Sequence, residues 1–261
     1  MNHAPIRLGS ILFTVVEPHA GHEVAYNRWY ERDHFYAGCL IGPGILGGRR
    51  FVATRPYKDL RFPEDSSVAP DKLTGSYLAL YWIERGLQDE WGTWAAKQVH
   101  ALHQAGRMFA ERDHVHTKMY RYRWGAFRDD DGVPPELALD HPYAGVAAVI
   151  GESNDEAGRD ALLERLQAEA VPAATTGAAA MTLAFTPVPI PDDAPADVPR
   201  LPDDARRFLL IAFLEADPKE SWDAFTELGS AVEATGQGRV LWASPFIPTL
   251  PGTDTYTDQL R

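Results

Sequence analysis

Between Tyr26 and Arg50 the chain brings together three tyrosines, a tryptophan, a histidine and two adjacent arginines. Tyr26, Tyr30 and His34 recur every four residues, so on a helix they share one face, and Glu31 falls within a turn of His34. An imidazole titrates near neutrality and can take and return a proton, and a carboxylate at Glu31 would orient it or raise its basicity. A tyrosine hydroxyl at Tyr30 would then donate to an oxygen that gains negative charge in the transition state. The expected catalytic set is His34, Tyr30 and Glu31. Tyr26, Trp29, Arg50, Tyr81, His116, Tyr120 and Tyr122 are expected to bind the substrate.

A second group lies further along. In the run His114 to Trp124, strict alternation places His114, His116, Lys118, Tyr120, Tyr122 and Trp124 on one strand face, with Val115, Thr117, Met119, Arg121 and Arg123 on the other. The His-x-His pair offers two imidazoles to a metal, with His34, Glu31 or Asp33 as further ligands, but nothing in the spacing fixes their convergence, and no metal is expected. His100 and His103 sit three apart on a helix. They would serve as haem ligands or, more simply, as polar residues on its solvent side beside Lys97 and Gln104. Arg49 and Arg50 face opposite sides of a strand, and whichever points inward would hold a carboxylate or phenolate. Cys39 excludes an internal disulfide, as the single cysteine, and reads as a small packing residue.

These residues need elements to hold them. Hydrophobic periodicity predicts a strand at 6–16, a helix at 21–38 ending near Gly42-Pro43-Gly44, a strand at 45–54, a strand at 77–84, a helix at 87–110 and a strand at 114–124. Residues 55–76, with Pro56, Pro63, Pro70 and Gly75, form an insertion that reads as a lid or an inert surface loop. The order then repeats. A strand at 143–151, a helix at 155–170, a strand at 178–188, a Pro/Asp-rich insertion through Asp204, a strand at 206–216, a helix at 221–234 and a strand at 239–247 follow a charged linker at 129–142. Each half is a βαββαβ unit, the ferredoxin-like plan. A sheet covered by helices on one face must bury its other apolar face, so the α+β fold expected is two tandem ferredoxin-like units, 1–128 and 143–261, with their antiparallel sheets packed face to face.

The run Trp29-Tyr30 to His34, followed by Pro43-Gly44 and Gly48-Arg49-Arg50, resembles the EthD-like branch of the dimeric α/β-barrel proteins. The match covers residues 5 to 56; where many relatives carry a proline two residues after the histidine, this chain has Tyr36. The resemblance implies a barrel of two sheets, here supplied by one polypeptide, and a range of isomerases, cyclases and cofactor-free monooxygenases.

Eight of the nine histidines lie at or before His116 and the ninth, His141, is in the linker, so the active half is expected to be the first. A formal charge of −12 argues against nucleic-acid and anionic-membrane partners. No Gly-rich phosphate loop, dinucleotide fingerprint or nucleophile elbow is present. The N-terminal stretch lacks a cleavage signal and a membrane-length apolar run, giving a cytoplasmic expectation with a homodimer left open. The functional expectation is a cofactor-independent enzyme on a small aromatic, polyketide-like or lactone substrate. The alternatives are a hydrophobic-ligand binder, or a haem or metal protein using His100, His103, His114 or His116.

Overall fold

The computed structural model describes residues 5–69, 71–188 and 204–261; Pro70 and most of the second insertion fall outside them. In chain order it runs β1 Leu8–Pro18, α1 Glu23–Trp29 continued by a π-helical segment Tyr30–Leu40, β2 Ile45–Val52, α2 Arg55–Lys58, β3 Tyr77–Glu84, α3 Gln88–Gln104 and β4 Arg112–Phe127. The second half follows with β5 Gly145–Ser153, α4 Gly158–Arg165 continued by a π-helical segment Leu166–Ala170, α5 Val171–Thr175, β6 Ala179–Pro187, β7 Arg207–Leu214, α6 Trp222–Ala234 and β8 Gly238–Pro248. The helix expected over 87–110 ends near Gly106, whose φ of 67° suits a residue without Cβ at a helix terminus.

The eight strands close into one antiparallel barrel in the order β1-β3-β2-β8-β5-β7-β6-β4. Within it, β4-β1-β3-β2 and β8-β5-β7-β6 repeat the same ferredoxin-like order. The sheets therefore meet edge to edge as well as face to face. One seam, β4 with β6, pairs seven residues; the other, β2 with β8, pairs only Phe51 with Pro248 and Val52 with Ile247.

Alternation along each strand sorts the apolar residues into three layers. Inside the barrel lie Phe13, Phe51, Leu80, Trp82, Phe185, Ile211, Phe213, Trp242 and Phe246 with their neighbours. Outside the second-half sheet, α4, α5 and α6 cover a layer of leucine, valine, alanine and phenylalanine. Outside the first-half sheet the covering layer is Tyr26, Tyr30, Cys39, Tyr77, Tyr81 and Trp91.

Both ends of the barrel are filled. At one, Trp82 Nε1 donates to Pro135 O at 2.8 Å, and Ala138 and Leu139 pack inward, so only part of the linker is an exposed crossing. At the other, the first insertion is neither a lid nor an inert loop. It supplies Tyr57, Val68 and Ala69 to the barrel interior, and Arg61 is buried with its guanidinium on Ser244 Oγ (2.8 Å) and the carbonyls of Lys72, Thr74 and Gly75. Lys58 Nζ likewise donates to Leu73 O, Ser76 Oγ and Leu260 O and lies 3.5 Å from Glu17. A plug fixed by so many charge-assisted hydrogen bonds is a structural part.

Candidate functional site

The residues singled out from the sequence occur in two groups, on opposite faces of the first-half sheet. The first group fills the layer beneath α1 and its π-helical continuation. Tyr26 and Tyr30 point down from the helix, and Tyr77 and Tyr81 point up from β3, two residues of the same face spaced by four. The Tyr30 and Tyr81 hydroxyls are 3.0 Å apart. Arg50 reaches into this layer from β2, its guanidinium carbon 4.7 Å from the Tyr30 ring centroid and 5.1 Å from that of Tyr77. Arg49 faces the other way and donates to the carbonyls of Leu139 and His141.

Arg50 is 6% exposed. Its Nη1 donates to Asn27 Oδ1 at 2.9 Å, and Asn27 Nδ2 donates onward to Thr253 O at 2.9 Å. Its Nη2 has no hydrogen-bond partner among the described residues, and neither has the Tyr77 hydroxyl in the same layer. Buried polar groups are ordinarily satisfied, so two unpartnered donors beside one another mark a place for an acceptor. Burial holds the phenols in their neutral form: the Tyr77 pKa is pushed up to about 12, and those of Tyr26, Tyr30 and Tyr81 are raised as well, in each case mainly by desolvation. These tyrosines are therefore hydrogen-bond donors and not bases. Burial also pushes the Cys39 thiol up to about 12, which fits a packing role.

His34 sits at the rim of this layer. Its ring stacks on Trp29 at 4.5 Å and meets the Tyr30 ring edge-on at 5.3 Å. The π-helical winding brings the next turn close: a Cβ on Gly38 would lie 2.8 Å from His34 Nδ1, so glycine is what admits the imidazole there. Trp29 is held by its Nε1 bond to Arg107 O (2.7 Å), by stacking on Phe109 (5.5 Å) and by the Arg112 guanidinium at 5.3 Å. Asp33 pairs with Arg107. Glu31 turns to the opposite side, its carboxylate accepting from Gly252 N at 3.2 Å and lying 3.7 Å from Arg32. It braces residues of the C-terminal segment, and the rings beside His34 are those of Trp29 and Tyr30. Tyr77, Phe109 and Arg112 were not among the expected site residues; the pairing of Tyr77 with Tyr81 on one strand face was the signal for the first.

The second group faces the barrel interior. His116 and Tyr120 are joined by a 2.7 Å bond between Nε2 and the phenol, and Tyr122 packs on Phe185. Two expectations for this strand are corrected by bulges. The register with β1 slips at Val115, which turns His114 away from His116 and onto Thr117 Oγ1 at 2.7 Å. The register with β6 slips at Arg123, which sends Trp124 to the outer layer of the second half. His116, Tyr120 and Tyr122 are thus separated by the sheet itself from Tyr26, Tyr30, His34, Arg50 and Tyr81, and one substrate does not touch both groups.

A haem needs an axial histidine that opens onto a cavity of its size. His100 and His103 are exposed on α3, and His116 lies between the rings of Phe13 and Tyr120 inside the barrel. None of these three offers such an opening, and no set of three His, Cys, Asp or Glu among the described residues is placed to hold a metal. A cleft of ≈ 210 Å³ lined by Pro63, Asp65, Ser67, Glu233, Arg239, Val240 and Leu241 lies apart from both clusters. No helix of the described residues is long and apolar enough to cross a membrane.

No family model matches the chain, and no curated protein matches it in sequence. Solved structures do. An anthrone oxidase-like protein aligns over 96% of this chain and 98% of its own with a TM-score of 0.55 at 7% identity. A candidate chlorite dismutase aligns over 98% and 100% with a TM-score of 0.51 at 12% identity. A candidate monooxygenase from Fusobacterium nucleatum aligns over 93% of each chain with a TM-score of 0.51 at 10% identity. Identities this low speak for the fold and not for the chemistry. With eight antiparallel strands closed in two ferredoxin-like halves, the protein has the dimeric α/β-barrel fold, both halves being carried by one chain.

Proposed function

We propose that the layer between α1 and the first-half sheet is the active site of a cofactor-independent enzyme that moves a proton on a small hydrophobic carbonyl or phenol compound. The single observation that carries this reading is Arg50: a buried guanidinium with an open Nη2, flanked by the unpartnered Tyr77 hydroxyl, one tyrosine away from His34. In the proposed step His34 takes a proton from carbon alpha to the carbonyl, and the C–H electron pair moves into the enolate. Arg50 and the neutral phenols of Tyr77 and Tyr30 hold the oxygen that becomes negative. Tyr26, Trp29 and Tyr81 supply apolar contact to an aromatic or polyketide-like ring or a lactone. An enolate so formed leads to isomerisation, cyclisation or elimination, or reacts with oxygen without a cofactor.

The test uses anthrone, a carbon acid whose enolate is aromatic. The anthrone oxidase-like neighbour that shares the fold motivates this probe. Loss of the benzylic C–H signal in D2O is followed by NMR. Wild type is expected to speed exchange above buffer, and His34→Ala to slow it about 100-fold or more while the affinity for anthrone is kept. Arg50→Met is expected to weaken binding of the anionic form. Binding without any catalysed exchange would make the protein a ligand carrier, and exchange undiminished in His34→Ala would remove the histidine from the mechanism.

A further inference from the structure

On the inward face of the first-half sheet, β4 presents His116, Lys118 and Tyr120 to the barrel, and β7 of the other half presents Arg207 by alternation with Leu209, Ile211 and Phe213. Arg207 is only 7% exposed and His116 only 1%. Among the described residues, Arg207 Nε and Nη1 have no hydrogen-bond partner, nor has His116 Nδ1. The acid placed opposite Arg207 in the strand register is Glu152, but its carboxylate is taken by Arg239 at 2.8 Å and Arg206 at 3.6 Å.

A guanidinium does not escape burial by losing its proton, so it must find an acceptor or remain a buried, uncompensated charge. The histidine cannot be that acceptor's charge partner in its free state. Burial first, then the Arg207 and Lys118 cations, bring its pKa down to about 3 and leave the imidazole neutral. Which group donates in the Nε2–Tyr120 bond depends on the tautomer, and in the tautomer with its hydrogen on Nδ1 the neutral imidazole donates from that nitrogen, which has no partner among the described residues.

We propose that Arg207 and His116 bind a small oxygen anion, a carboxylate or a phosphate, enclosed inside the barrel. The donors come from both halves, β4 and β7, which flank β6 in the barrel wall, so the anion ties the two halves together beside the β4–β6 seam. This site is on the face of the sheet opposite Arg50 and is independent of the proposed enzyme reaction.

Thermal unfolding of the full chain is measured against formate and against inorganic phosphate, with sodium chloride at matched ionic strength as the control. A saturable rise in Tm of about 5 °C over chloride is expected with the anion that fits. It should persist in Arg50→Met and vanish in Arg207→Met. Saturation by formate identifies a carboxylate site, saturation by phosphate a phosphate site. The second measurement needs no variant to fold: in the wild-type chain the Arg207 Nε–H and His116 ring resonances should shift saturably with the same anion. A flat Tm and unmoved resonances with both anions, or a rise that survives Arg207→Met, would overturn the proposal.

Discussion

The two halves of the barrel share a strand order and differ in what lies beneath their helices. In the second half that layer is Leu162, Leu163, Leu166, Leu210, Leu228, Val232 and their apolar neighbours. In the first half the equivalent layer holds four tyrosines around Arg50, with hydroxyls and a guanidinium that the protein itself leaves partly unpaired. The same scaffold can thus be packed for stability or for reactivity. Apolar packing gains from every contact, whereas buried donors without acceptors lose desolvation energy until a ligand meets them. On the function proposed above, one half carries stability and the other ligand chemistry.

The comparison can be broken by mutation. The largest expected effect is Leu210→Ala, which opens a cavity in the second-half layer and should lower stability by about 2–5 kcal/mol in denaturant unfolding, leaving anthrone exchange at wild-type rate. Next is acid. His116 has a folded pKa of about 3 against an ordinary 6.5. Between those values the unfolded chain binds a proton that the folded chain refuses, so stability falls as pH drops through the window and is complete above it. The slope contributed should approach about 1.4 kcal/mol per pH unit, and His116→Phe should flatten the stability profile there. The smallest effect is Tyr81→Phe. It removes the hydroxyl bonded to Tyr30 and should cost about 1 kcal/mol, visible as a small shift in the unfolding midpoint, while it changes exchange through the freed Tyr30 phenol. If Tyr81→Phe were as damaging as Leu210→Ala, the first-half layer would be an ordinary core and the contrast would fail.

Strand order and the helix over Tyr26 to His34 were legible because periodicity reports which face is buried, and the two βαββαβ patterns repeat it. The register of β4 was not. A bulge adds one residue without altering composition, so neither the turning of His114 at Val115 nor that of Trp124 at Arg123 left a mark in the alternation. Which side of the sheet each candidate would occupy was legible for Tyr77 and Tyr81 and hidden for the His116 group, because both faces of the sheet are buried. Glu31 stands one turn from His34 in sequence, yet its partner is Gly252, 221 residues away, a contact no local pattern encodes. The insertion read as a lid or an inert surface loop from its prolines and Gly75, and it also carries Lys58 and Arg61. Their burial depends on carbonyls contributed by the insertion's own backbone and by Leu260.

The two seams of the barrel also differ in how they are fastened. Seven residue pairs close β4 on β6, while the two-pair seam of β2 on β8 relies on Phe62 bridging Ala243, Arg61 on Ser244, and the segment from Thr249 onward that lies back over the first half through Asn27, Arg28 and Glu31. Thr249 N donates to the carbonyl of Arg50 itself, and Asn27 grips the Arg50 side chain and Thr253 together. A two-pair seam has fewer hydrogen bonds to lose than a seven-pair one, so local opening is expected there first, an opening that would loosen the Arg50 backbone, and the amide of Thr249 should exchange with solvent earlier than those along β4.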